Sequence, residues 1–335
     1  MTAERAKPNL RLVAPPVMLP RDRWRAGEVA FWLVPLAAIP LLPGYLVLGS
    51  QILITALFAL SLDLILGHAR IVSLGHAAFF GVGAYTAGLL AVHGWGEPLT
   101  GLFAGGALAA VVGLLVSWLV VRGQVLVQLM VTLGIGLVLY EVASEAAFVT
   151  GGVDGLDGVT MGKLFGVFEL GIDGSTAYLY SLVVLFLIFV LLRRLVNSPF
   201  GLGLRGLREG PRRMPAIGVS VRHLQVVTFT LAAGVAGVAG ALLTQTTQFV
   251  GLDVLGLQRS AELLIMLVLG GVGRLYGALV GVAVFMVAQD VFSRYSPAYW
   301  QLWIGLPLVV LVLFTRGGIV GGLASLGAHL RRRAA

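Results

Sequence analysis

The feature that most constrains this chain is a succession of apolar runs, each close to the length of a membrane-crossing helix and nearly free of charge. They fall at roughly 27–48, 50–67, 73–93, 99–121, 124–148, 176–194, 225–248, 260–272, 276–293 and 299–315. A bilayer core needs about 20 apolar residues per helix, so most of these runs read as spans. Composition agrees. Of 335 residues, 58% are hydrophobic and only 11% charged, too few charges to cover the surface of a soluble protein of this size. The 46 glycines suit membrane helices that approach one another closely. The expected fold is an all-α polytopic membrane protein with about 8–10 transmembrane helices. The run at 260–272 is too short to cross comfortably and ends in glycines, so it reads as a re-entrant or half-helix segment, a form tolerated only inside protein or beside water.

Orientation follows from one polar stretch, residues 193–223. It carries Arg193, Arg194, Arg205, Arg208, Arg212, Arg213 and Arg222 against a single acid, Glu209. Positive charge resists translocation, which assigns the loop 195–222 to the cytoplasmic side. It is long enough, with an amphipathic middle, to be a docking element. Six spans precede it, so the polar tail 1–26 is also expected in the cytoplasm, and Arg70 and Arg122 fall on the inside. The longest opposite loop, 149–175, carries Asp154, Asp157, Glu169 and Asp173 against Lys163 and is expected to be extracytoplasmic. The remaining four runs return the chain to the cytoplasm, giving a transmembrane domain over 27–320 and a C-terminal cytoplasmic tail over 321–335.

Four segments of the chain stand out. Residues 73–88 form a small-residue helix whose Ala77/Gly81 and Ala84/Gly88 pairs suit tight packing. The alternative is a pathway-lining segment, with Ser73, Gly75, His76 and Thr86 bordering a cavity. The run through Gly270, Gly271, Gly273 and Arg274 into Gly277 and Gly281 has the same two readings, and Ala233, Gly237 and Ala241 form a third stripe. The sequence Thr150-Gly151-Gly152-Val153-Asp154 is a turn on composition, suited to an ordinary loop or to a gate beneath an external partner. Asp63, Glu141, Glu145, Glu262 and Asp290 fall near predicted span ends, where water softens the cost of about 2.5–3.5 kcal/mol that a mid-helix charge carries.

Catalytic signatures are missing from the sequence. A phosphate-binding loop needs Gly-Lys-Ser/Thr, yet Lys7 and Lys163 are the only lysines and Gly162-Lys163 is followed by Leu164. The five histidines are scattered, there is no cysteine, and neither HExxH nor GxSxG occurs. The chain is expected to bind no metal or cofactor and to hydrolyse no ATP itself. Its net charge of +8 clusters at span ends, which points to membrane orientation and not to nucleic acid.

The motifs resemble one family. The stretches at 66–90 (LGHARIVSLGHAAFFGVGAYTAGLL), 150–156 (TGGVDGL), 197–209 (NSPFGLGLRGLRE), 217–219 (IGV), 231–243, 267–282 and 305–323 run in the order found in permease subunits of branched-chain amino acid ABC importers, specifically the longer M-type subunit. The resemblance implies a second homologous permease, two cytoplasmic ATPase subunits that use ATP and Mg, an extracytoplasmic solute-binding protein and an inner-membrane location. It also implies that the basic loop holds a coupling helix. Pro199, Phe200 and Gly201 would start the docking turn, with Arg205, Arg208, Glu209 and Gly218 directed to an ATPase.

The chain departs from the family pattern at several places. Gly210-Pro211-Arg212-Arg213-Met214-Pro215 stands where the family usually continues an alanine-rich helix, and Pro215 costs a helix interior about 3 kcal/mol. Ala69-Arg70 replaces a glycine-glutamine pair, a family glutamate is missing near Leu137, and Arg274 replaces a small polar residue. The expected solute is a small molecule of little net charge, such as an apolar zwitterionic amino acid. Urea, a short amide, a carboxylate and the unrelated mechanism of a secondary transporter are the competing readings.

Overall fold

The computed structural model describes residues 26–163, 174–295, Tyr299, 302–303, 305–306 and 317–322. The expected span at 299–315 and the polar tails lie almost wholly outside the described residues, as do Glu169 and Asp173. Among the described residues the architecture is helical, with one isolated antiparallel bridge between Leu156 and Val250. The elements are α1 (Ala26–Leu41), α2 (Leu46–Asp63), α3 (Ala77–Val92), α4 (Pro98–Val120), α5 (Val125–Glu145), the single turn α6 (Ala147–Thr150), α7 (Ser175–Val196), α8 (Pro199–Glu209), α9 (Val221–Thr247), α10 (Leu257–Gly270) and α11 (Leu275–Tyr295).

Among the described residues six helical runs are long and apolar enough to cross a membrane: Pro43–His68, Pro98–Val120, Val125–Glu145, Ser175–Val196, Val221–Thr247 and Leu275–Tyr295. The chain is therefore a polytopic helical membrane protein. α1 and α3 are apolar but have 16 residues each. α10 has 14 residues, about 21 Å at 1.5 Å per residue, and so is shorter than the bilayer core of about 30 Å. This matches the half-helix expected there. Two boundaries differ from the sequence reading. The first break falls at Leu42–Tyr45, several residues early, because Pro43 has no amide to continue the ladder. The third helix begins at Ala77 and not at 73, because the chain leaves the α2 run through a π turn at Leu64–His68 and takes Arg70 to φ +56°.

α9 is the central element, packed against α2, α3 and α4. Its inner faces are nearly all small: Ala232, Ala233, Ala236, Ala239 and Ala241 are fully buried. Gly83 of α3 lies on the Gly237 carbonyl, Gly240 on the Phe80 carbonyl, and Gly237 against Ala109 and Gly105 of α4. Without a hydrophobic drive between lipid-soluble helices, such backbone proximity supplies much of the association. The small-residue stripe on α9 is thus packing in this fold.

Polar ties reinforce the bundle. Gln245 of α9 donates from Nε2 to the Pro98 carbonyl at 2.7 Å and accepts the Tyr180 hydroxyl of α7 at 2.9 Å. Thr244 donates to the Ala84 carbonyl at 2.9 Å. On the other flank α2 packs against α7, α10 and α11, and Arg193 of α7 pairs with Glu28 of α1 at 2.8 Å.

Candidate functional site

The basic loop folds around α8. Ser198 caps the helix, its Oγ accepting the Gly201 amide at 3.4 Å, and Pro199 occupies the first turn, where its missing amide costs nothing. Gly201 lies directly under the Val196 carbonyl, which holds α8 tightly to the end of α7. Leu204 and Leu207 are buried, while Arg205, Arg208 and Glu209 are exposed. An apolar face thus seats the helix and a charged face is left on the surface. Arg205 donates to Asn197 Oδ1 at 3.1 Å, and Arg70 donates to the Arg208 carbonyl at 3.2 Å. The helix stops at Glu209, a turn follows, and Met214–Ile217 form a 3-10 turn ending at Gly218 with φ +79°. Pro215 thus lies outside the helix.

The residues grouped as a pathway occupy distinct environments. Ser73 and His76 are each 1% exposed. His76 Nε2 lies 2.8 Å from Ser61 Oγ, and its ring stacks on Phe58 at 5.5 Å. Ser73 Oγ and His76 Nδ1 have no hydrogen-bond partner among the described residues. Gly75 rests on the Thr132 backbone and lines a cavity of about 240 Å³ with Gly136, Leu137 and Tyr140 of α5 and the entry to α10. Ser73 and His76 line neither this cavity nor the larger one described below. Thr86 turns its hydroxyl back to the Val82 carbonyl at 2.6 Å.

The loop Thr150–Asp154 is ordered by the Thr150 hydroxyl. Thr150 donates to the Ala146 carbonyl at 3.0 Å and accepts the Gly152 amide at 3.2 Å. Gly151 and Gly152 have φ +78° and +60°, and Asp154 is exposed. Just beyond, the Leu156 amide donates to the Val250 carbonyl at 2.8 Å, so this loop pairs with the one that leads into α10. At the other end of α10, Gly270 backs onto Gly277 and Gly281, while Gly271 faces the Gly317 carbonyl. Arg274 is exposed and is not a cation buried in the pathway.

Three predicted groups do converge. The Arg208 guanidinium lies over Gly273, the Gly273 amide donates to Asp63 Oδ1 at 2.6 Å, and Arg70 reaches back to α8. The basic helix, the end of the α2 run and the α10–α11 turn therefore share one face of the bundle. Asp63 itself is 0% exposed, which corrects the expectation that water reaches it: its place near a span end is covered by that turn. Sequence reading also passed over Arg259. An arginine three residues from Glu262 in a helix with no other charge was the available signal.

A family model described as branched-chain amino acid transport system / permease component matches residues 45–313. The chain is 26% identical over 295 residues to the high-affinity branched-chain amino acid transport system permease protein LivM of Escherichia coli (strain K12), covering 82% of this chain and 69% of that protein. The LivM protein of Salmonella typhimurium is 25% identical over the same shares. The permease protein LivH of that species is 28% identical over 125 residues, 37% of this chain and 40% of the relative. No solved structure matches. Six apolar spans, a capped basic helix seated against them, and a family match that runs from the first long span past α11 lead to one assignment: the chain belongs to the branched-chain amino acid transport system permease component family.

Proposed function

We propose that this chain is the M-type half of the translocation pathway in an inner-membrane ABC importer for small zwitterionic amino acids with apolar side chains. The observation that carries the reading is α8. Its apolar face is buried and its Arg205, Arg208 and Glu209 are exposed, the arrangement expected of a helix that receives force from a partner. In this reading two cytoplasmic ATPase subunits dock on α8 and use ATP and Mg. A second homologous permease completes the pathway, an extracytoplasmic binding protein delivers the solute, and this chain performs no chemistry. Closure of the ATPases would push on α8, and the contacts from Arg208 and Arg70 to Gly273 and the α2 end would carry that push into α2, α10 and α11.

The test is ATP-driven uptake in vesicles holding the full complex. Glu209→Lys reverses charge on the exposed face and removes a contact worth about 1.5–3 kcal/mol if it is a hydrogen bond to a charged group. It should lower leucine uptake at least tenfold while the permease pair still assembles. Full uptake at normal expression would show that α8 is a solvated linker. Carriage of urea or of a dicarboxylate in place of leucine would replace the solute assignment.

A further inference from the structure

A second cavity, of about 290 Å³, lies between α2, α10 and α11, near the lower end of the range of small-ligand pockets, about 300–1,000 Å³. Each helix contributes one face at helical spacing. α2 supplies Gln51, Thr55 and Phe58, α10 supplies Arg259, Glu262 and Met266, and α11 supplies Met286, Gln289 and Asp290. The register of the three helices sorts this lining by depth. Gln51, Arg259, Glu262, Gln289 and Asp290 lie toward the end of the bundle where α2 and α10 begin and α11 ends. Phe58, Met266 and Met286 lie a turn or two closer to the opposite face, where Asp63 meets Gly273. The cavity therefore has a polar mouth carrying both signs of charge and an apolar floor.

The charges at the mouth are not spent on each other. Arg259 and Glu262 are three residues apart on one helix face, close enough to interact, yet they form no ion pair among the described residues. The guanidinium sits over the Phe80 ring at 5.8 Å. Glu262 is held by the Gln258 amide at 2.9 Å, and Asp290 pairs with Arg294 at 3.0 Å. Ionisable residues that line a cavity within a membrane bundle mark solute routes by default. A cation and an anion held apart over one cavity match a solute that carries an ammonium and a carboxylate on one carbon.

We propose that this cavity is a solute subsite for an α-amino acid zwitterion, with Arg259 receiving the carboxylate, Glu262 the ammonium, and Phe58, Met266 and Met286 the apolar side chain. The proposal rests on the transport reading above, and deepens it.

The test compares uptake of leucine, leucinamide and isovalerate by the full complex in vesicles, for the unmodified chain, Arg259→Gln and Glu262→Gln. Each variant should raise the KM for leucine at least tenfold while the complex still assembles at normal yield. Arg259→Gln should also raise leucinamide uptake relative to leucine, and Glu262→Gln should raise isovalerate uptake relative to leucine. A merely structural role would lower yield or melting temperature without these opposite shifts in preference. If the unmodified complex carries leucine and both variants match its KM and preferences, the subsite is refuted while the transport reading stands. If the unmodified complex carries no zwitterion, the transport reading fails and the subsite falls with it.

Discussion

The Asp63 side chain accepts the backbone amide of Gly273 at 2.6 Å, across 210 residues of sequence. Gly273 has φ +77° and the Arg208 guanidinium lies against its Cα. The conformation favours glycine, and a Cβ would strike the guanidinium. One hydrogen bond thus ties the α2 run to the α10–α11 turn directly beneath α8. Asp63→Ala leaves a buried amide unpaired and should cost about 1–3 kcal/mol, while Asp63→Asn, which keeps an acceptor, should cost less. Thermal unfolding of the purified complex checks this. Equal melting temperatures for both variants and the unmodified chain would show that the bond contributes nothing to stability.

Close approach of α3 and α9 gives a second prediction. A Cβ at Gly83 would collide with the Gly237 backbone, and one at Gly240 with the Phe80 carbonyl, whereas Gly134 of α5 has nothing within 4 Å. Gly83→Ala and Gly240→Ala should each destabilise by about 1–3 kcal/mol, the usual cost of forcing extra volume into a packed core. Gly134→Ala should be neutral or slightly stabilising, since alanine is the better helix former. Urea denaturation in detergent compares the three.

The Tyr180–Gln245–Pro98 chain predicts a smaller effect. Tyr180→Phe removes the donor to Gln245 Oε1 and leaves a buried acceptor unpaired, while Gln245 keeps its bond to Pro98. The expected loss is about 1 kcal/mol. Gln245→Leu strands the tyrosine hydroxyl and removes both bonds at once, so it should lose more than Tyr180→Phe in the same melting assay.

Topology is checked by labelling, because the chain has no cysteine of its own. Val153 is 82% exposed and Ile217 is 71% exposed, so cysteines there should be reachable by reagent without disturbing the core. The proposed cytoplasmic placement of the basic loop predicts that an impermeant maleimide added to intact cells modifies Val153→Cys and spares Ile217→Cys. In inside-out vesicles the pattern should reverse. Modification of Ile217→Cys from outside would invert the orientation.

Much of the fold was legible in the sequence because its causes are local. Apolar runs of membrane length become helices because backbone groups in lipid must be satisfied within the segment. Ser198, Pro199 and the Leu204/Leu207 spacing specify a capped amphipathic helix, and Gly210 through Pro215 end it. The short run at 260–272 already indicated a helix unable to span. Tertiary structure alone decided which face of each helix meets which partner, because that azimuth depends on contacts hundreds of residues apart. It therefore decided that Asp63 is sealed beneath Gly273, that His76 packs on Phe58 and Ser61, and that Arg274 lies exposed. It also brought Arg259 and Glu262 together with Gln51 and Gln289 around one cavity. A hydropathy run sums a segment without regard to direction, whereas a binding site is a direction shared by several segments.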